Sequence, residues 1–184
     1  MSVSLAPSHT EKLIRLSGTM AWLTTAGIVL IVVLMAFVFV IPSWTRNLLL
    51  ARLGEIGATL PLGPNQVIAV AAIMVVPIGV MVWGLWHVRA LFRDFAAGRA
   101  FTVGAARRLQ LFGVAVLAQA PLGPLTATAL AMALSLANPP GQRFLVLTLS
   151  INDYLALIVG GVLVAVAAVM REAARLAEEN AGFI

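Results

Sequence analysis

The chain has 184 residues, of which 61% are hydrophobic and only 10% are charged. An average soluble domain carries about 25% charged residues, and a soluble chain of this size could not bury so much apolar surface. The composition therefore excludes an ordinary water-soluble domain and predicts extensive contact with lipid. The net charge of +5 comes from basic residues at the ends of apolar runs, so it indicates membrane orientation and no direct binding to nucleic acid.

Four apolar runs are long enough to cross a bilayer as helices. They span about residues 18–41, 67–88, 109–137 and 151–170, and a bilayer core requires about 20 apolar residues. The first run is too long for the core of a signal peptide, so we expect an uncleaved helix that stops near Pro42. The sequence predicts an all-α membrane protein, with residues 1–184 as a single four-helix transmembrane domain and residues 171–184 as a cytoplasmic tail.

Local signals add detail at the ends of these runs. In the loop at 42–66, apolar residues recur at spacings of three and four, which predicts a short interfacial helix, with a packed loop as the alternative. Gly98 is a candidate C-terminal stop for the second helix and Thr102 a candidate N-cap for the third. Ser150 and Asp153 have the spacing of a capping box, and the fourth helix is expected to continue as a polar tail.

The distribution of Lys and Arg predicts which side each loop faces. The N-terminus, the loop at 89–108 and the tail carry two, five and two of these residues, which sum to nine. The loops at 42–66 and 138–150 carry two and one, which sum to three. Because basic loops stay in the cytoplasm, both termini and the middle loop are expected there.

The sequence gives little sign of catalysis, metal binding or coupled transport. Within the four runs, the only Asp, Glu, Lys or Arg is Asp153, at the mouth of the fourth, whereas ion-coupled carriers usually hold charge inside the membrane. His9 and His87 lie on different segments, and a metal site needs three or four ligands. We therefore expect no catalytic residues, no metal, no cofactor and no enzyme activity.

The third run contains the best internal candidate for a ligand site, formed by Gln119, Pro121 and Pro124. A proline removes a backbone donor and leaves a carbonyl free one turn earlier, so a kinked or unwound segment beside a glutamine amide could form a polar notch. The alternative is a structural kink that neighbouring helices satisfy.

Two segments, the basic loop at 89–108 and the tail at 171–184, are candidates for contact with a protein. The polar residues of the basic loop and the tail predict a docking site for a cytoplasmic partner, and the alternative is attraction of anionic lipid. The candidate partner-binding residues are Arg93, Arg99, Arg107, Arg108, Arg171, Arg175, Glu178 and Glu179. On the fourth helix, Gly161, Ala165 and Ala168 share a face and predict close helix packing. A homo-oligomer is a further possibility.

Two segments resemble a family of small bacterial four-helix membrane proteins classed as a domain of unknown function. The first is 92–109, with Phe101-Thr102 and Ala106-Arg107-Arg108-Leu109, and the second is 151–184, with Arg171-Glu172-Ala173 and Leu176-Ala177-Glu178-Glu179-Asn180. Gly104-Ala105 departs from the polar or acidic pair expected there, which puts the local helix cap in doubt.

The resemblance implies an inner-membrane protein without enzyme activity. Members of this family are often encoded beside a small helix-turn-helix repressor, so the resemblance implies a partner that the membrane protein restrains or releases. The predicted function is therefore non-catalytic regulation through a soluble helix-turn-helix protein. The alternative is binding or permeation of a small molecule at the Gln119 notch.

Overall fold

The computed structural model describes residues 9–54, 62–99, 102–136 and 147–181. These residues form five helices: α1 His9–Val40, α2 Pro42–Leu53, α3 Pro64–Ala96, α4 Val103–Ser135 and α5 Ile151–Ala181. The helices α1, α3, α4 and α5 are each long and apolar enough to cross a membrane. The predicted all-α architecture, with four such helices, a helix in the first loop and a helical tail, is confirmed.

The ends of the helices follow local chemistry. Proline lies in the first turn of both α2 and α3, where the missing N–H has no partner to lose. The α3 helix ends before Gly98, whose φ of +76° is a conformation that a side chain disfavours. At the start of α4, the Thr102 hydroxyl accepts a hydrogen bond from the Ala105 N–H at 3.2 Å, so the predicted cap is present.

The four long helices pack in chain order. The α4 helix packs against both α3 and α5, while α1 packs mainly against α3 and α2. Neighbouring long helices run antiparallel, because the residues that meet along each pair come in opposite chain order. We call the end with residues 89–108 and 171–181 the basic end, and the end with α2 and residues 147–150 the opposite end.

The α2 helix packs into the opposite end of the helix row. Its Leu49 and Leu53 are buried together with Val70 and Met74 of α3. The same core includes four residues of α4, which are Ala127, Leu130, Ala131 and Leu134. Because one face of α2 is buried in this core, α2 holds its polar residues at fixed positions beside α3 and α4.

The contact between α4 and α5 uses a different face of α5 from the predicted one. Gly161 has open space where a side chain would lie, and Ala165 and Ala168 are exposed. Instead Gly160 meets Leu117, and Ala167 and Ala174 are buried. The predicted face is therefore wrong by one residue, which corresponds to a rotation of about 100° around the helix.

Candidate functional site

Gln119 lies midway along α4 and connects α4 to α3. Its Nε2 donates a hydrogen bond to the Pro77 carbonyl oxygen at 2.8 Å. The α4 helix is continuous from Val103 to Ser135, so the predicted local unwinding beside Pro121 and Pro124 is wrong. A bend at these prolines stays a prediction.

Gln119 lines a cavity of about 340 Å³, and several of the other lining residues belong to the opposite end. The residues that line it come from α2, α3, α4, α5 and the segment before α5. They are Ala51, Arg52, Pro77, Gln119, Gly123, Ala127, Thr148, Ser150, Asn152, Asp153 and Ala156. The volume lies at the small end of the range of about 300–1,000 Å³ for ligand sites.

The helical repeat explains why the two prolines of α4 do not line this cavity. Residues four apart lie on the same face of a helix, so Gln119, Gly123 and Ala127 all face the cavity. Pro121 is exposed on another face, and Pro124 is buried. The predicted notch is therefore corrected: Gln119 belongs to the cavity, and Pro121 and Pro124 do not.

Asp153 is positioned by the first turn of α5 and by a glycine on α4. Its N–H donates to the Ser150 hydroxyl at 3.2 Å, and its Oδ2 accepts from the Ser150 N–H at 2.8 Å. This is the predicted capping box. The carboxylate also lies against Gly123, where a Cβ would overlap it. The cap thus fixes a carboxylate at the wall of the cavity.

Sequence reasoning missed the polar partners that surround Gln119. Arg52 belongs to the first loop, and Thr148 and Asn152 lie around the start of the last helix. The polar face of α2 was the sequence feature that could have indicated Arg52. A helix that buries its apolar face turns its polar face toward a solvent-filled space or toward lipid headgroups. Only the packing of α2 against α4 brings Arg52 to the cavity.

At the basic end, three charged residues join α3, α4 and the loop between them. Asp94 accepts a hydrogen bond from Arg99 at 3.0 Å and forms a close ion pair with Arg108. Arg108 also donates to the Ala90 carbonyl at 2.8 Å. Asp94, Arg99 and Arg108, here the Asp94 cluster, therefore hold the connection between α3 and α4. Two of the predicted partner-binding arginines have this internal role.

The remaining predicted partner-binding residues fall into two groups. Arg171 donates to Gln110 of α4 at 3.2 Å, and Arg175 pairs with Glu172 at 3.0 Å and with Glu179 at 3.5 Å. Arg93, Arg107 and Glu178 are exposed and form no ion pair within the part of the chain that the structure describes. These three side chains are available to a partner.

His87 does not line the cavity around Gln119. His87 packs edge-on against Trp83, with ring centroids 4.7 Å apart, and the side chain of His9 lies outside the described residues. Across the described ranges, no group of three or more His, Cys, Asp or Glu residues could hold a metal ion. The polar chemistry of the described chain therefore lies in the cavity and at the basic end.

Comparison with known proteins places the chain in a family. Residues 51–184 match the profile described as "Protein of unknown function (DUF2975)". No curated protein and no solved structure matches the chain. The matched region covers α3, α4 and α5 completely, and it includes both the cavity residues and the basic end. The chain therefore belongs to the DUF2975 family, whose function is unknown.

Proposed function

We propose that this protein is a non-catalytic regulator that binds a soluble partner at its basic end and restrains it at the membrane. The partner is a helix-turn-helix transcription regulator. The observation that carries the proposal is the exposure of Arg93, Arg107 and Glu178, none of which forms an ion pair with another described residue. A surface with free charges of both signs can form charge-assisted contacts with a protein without first breaking its own.

The geometry of α5 supports the same proposal. Its 31 residues correspond to a length of about 46 Å, compared with about 30 Å for the hydrocarbon core of a bilayer. Because α5 starts at the opposite end, its last turns therefore project beyond the hydrocarbon core on the side of the basic end. Those turns carry Glu178 and the pairs of Arg175.

The proposed location is the bacterial inner membrane, with both termini and the basic end in the cytoplasm. This orientation is supported by the distribution of Lys and Arg. Nine of these residues lie in the termini and the loop at 89–108, and three lie in the other two loops. Topology reporters fused after Ser2, Gly98 and Ile184 should report the cytoplasm, and those after Gly57 and Gln142 should report the other side. The same side for Gly57 and Gly98 would contradict both the orientation and the docking surface.

The docking surface predicts that lysine cannot replace arginine at its free positions. The double substitution Arg93→Lys and Arg107→Lys keeps the charge and should leave lipid attraction intact, but lysine cannot form planar bidentate contacts with a carboxylate. Binding of the soluble partner should fall at least about tenfold, which corresponds to 1.4 kcal/mol. Co-purification from solubilised membranes and the transcript level of neighbouring genes measure the effect.

A matched control also changes two arginines, with Arg46→Lys in α2 and Arg143→Lys in the loop that the sequence predicts at 138–150. This control and the test variant should be expressed equally and keep the same topology. The Asp94 cluster is left intact in both, so a loss of binding cannot come from a distorted connection between α3 and α4. If partner binding and transcription do not change in the test variant, the docking surface is contradicted, and lipid attraction remains as the role of these arginines.

The second candidate function is the binding or permeation of a small molecule in the cavity around Gln119. The observation that favours it is the set of polar side chains from separate helices around one space of about 340 Å³. Ligand sites are usually concave spaces in which a few polar groups converge. The two candidates are compatible, because α5 runs from Asp153 at the cavity to the tail at the basic end.

A further inference from the structure

The wall of the cavity carries a carboxylate, that of Asp153, with one oxygen that accepts no hydrogen bond from a described residue. Asp153 is half-buried, and only its Oδ2 accepts a hydrogen bond from a described residue. Its carboxylate is placed against Gly123, because no side chain on that residue pushes it away. The Oδ1 atom, which is the carboxylate atom nearest Gly123, accepts no hydrogen bond from a described residue, and a cationic donor would satisfy it best.

The same wall carries a cationic group. Arg52 is half-buried and forms neither a hydrogen bond nor an ion pair with a described residue. It also lines a second cavity of about 270 Å³, which shares Pro77 and Gln119 with the first. Thus the guanidinium and Asp153 line one space without forming an ion pair. A half-buried arginine with five free N–H donors favours a carboxylate or phosphate ligand.

Gln119 adds a third group, and it lies deeper in the membrane than the other two. Its Nε2 donates one N–H to the Pro77 carbonyl, and its Oε1 is an acceptor that receives no hydrogen bond from a described residue. Arg52, Asp153 and Gln119 thus present one positive donor and two acceptors, one of them charged, and Thr148, Ser150 and Asn152 add neutral polar groups to the same lining. The charges of Arg52 and Asp153 cancel. A ligand with a single charge would pair with one of these residues and leave the other desolvated and without a partner, which is costly.

We infer that this cavity binds a small zwitterion of the amino-acid type, with its carboxylate at Arg52 and its ammonium group at Asp153 and Gln119. This inference rests on the second candidate function and names the ligand class for it. Both charges of the ligand are matched, and the N–H donors of a primary ammonium satisfy the carboxylate and the amide oxygen. A volume of about 340 Å³ suits a single small metabolite.

The first test uses amino acids and derivatives that lack one charge. The purified full-length protein in lipid nanodiscs is titrated with each of the common amino acids, and the unfolding temperature and calorimetric binding are measured. At least one amino acid should bind, and its amide and its N-acetyl derivative should each bind at least tenfold more weakly. Equal binding of either derivative, or no binding of any amino acid, would overturn the zwitterion.

Substitutions link the binding to the two wall charges. Arg52→Gln and Asp153→Asn should each weaken binding of the same amino acid at least tenfold, and the asparagine keeps an oxygen for the Ser150 N–H. Arg46→Gln is the matched control, because it removes an arginine of the same helix that does not line the cavity. Its affinity should equal that of the original chain. Equal affinity in Arg52→Gln and Asp153→Asn would overturn the assignment.

Cysteine labelling separates failure of the zwitterion from failure of the cavity. The chain has no cysteine, so Ala156→Cys at the cavity wall and Val162→Cys on the exposed apolar face of α5 provide single labels. A water-soluble thiol reagent should modify the first and not the second, and the bound amino acid should slow the reaction. Labelling at 156 without amino-acid binding overturns only the ligand class. No labelling at 156 overturns the cavity function as well, and neither result bears on docking at the basic end.

Discussion

Gly160→Val is expected to lower the free energy of unfolding by about 3 kcal/mol or more, at the upper end of overpacking effects. A Cβ at this position would lie 2.5 Å from the Leu117 backbone nitrogen and 2.7 Å from its Cα. These are backbone atoms of α4, so they cannot rotate away, and the two helices must separate. Unfolding by sodium dodecyl sulfate in mixed micelles, followed by tryptophan fluorescence, measures the loss.

The adjacent residue provides the matched control. Gly161→Val adds the same side chain to the same helix, but no heavy atom lies within 4 Å of its Cβ position. Its effect should stay within about 0.5 kcal/mol, as for substitutions away from packed features. Equal losses at the two glycines would show that α5 packs on α4 through a different face, or that both effects come from helix propensity alone.

Asp94→Ala is expected to lower the free energy of unfolding by about 2 kcal/mol. The Asp94 side chain is only 12% exposed, whereas its partners Arg99 and Arg108 are 63% and 38% exposed. Breaking a buried pair costs about 3–5 kcal/mol and breaking a surface pair about 0–1, so this partly buried pair should lie between them. Faster amide exchange in residues 95–99 should accompany the loss, because the bonds that hold this connection are gone.

A surface ion pair on α5 is the control for this change. Glu172 and Arg175 are 58% and 61% exposed, so Glu172→Ala should cost less than about 1 kcal/mol. A double-mutant cycle between Asp94 and Arg108 then measures their coupling directly. A coupling near zero, together with an Asp94→Ala loss no larger than that of Glu172→Ala, would contradict the structural role of the Asp94 cluster.

The candidate sites were only partly readable from the sequence. The sequence identifies Gln119 because two prolines beside a glutamine amide predict a polar notch, and it identifies Asp153 because of its cap spacing. The sequence also pointed to Arg99 and Arg108 as basic residues. It could not show that they pair with Asp94, because that pairing depends on how the end of α3 meets the start of α4.

The sequence by itself determined the number of helices and most of their ends. The number of helices follows from the length of the apolar runs. Their ends follow from features that act within a few residues of the chain, which are proline in a first turn, the Thr102 cap and the Gly98 stop. Only the tertiary structure decided which face of each helix is packed, so it alone placed Gly160 against Leu117 and brought Arg52 and Asp153 to the lining of one cavity. The physical reason is that lipid is as apolar as a helix interface, so a spanning helix carries little amphipathic signal to distinguish its packed face from its lipid face.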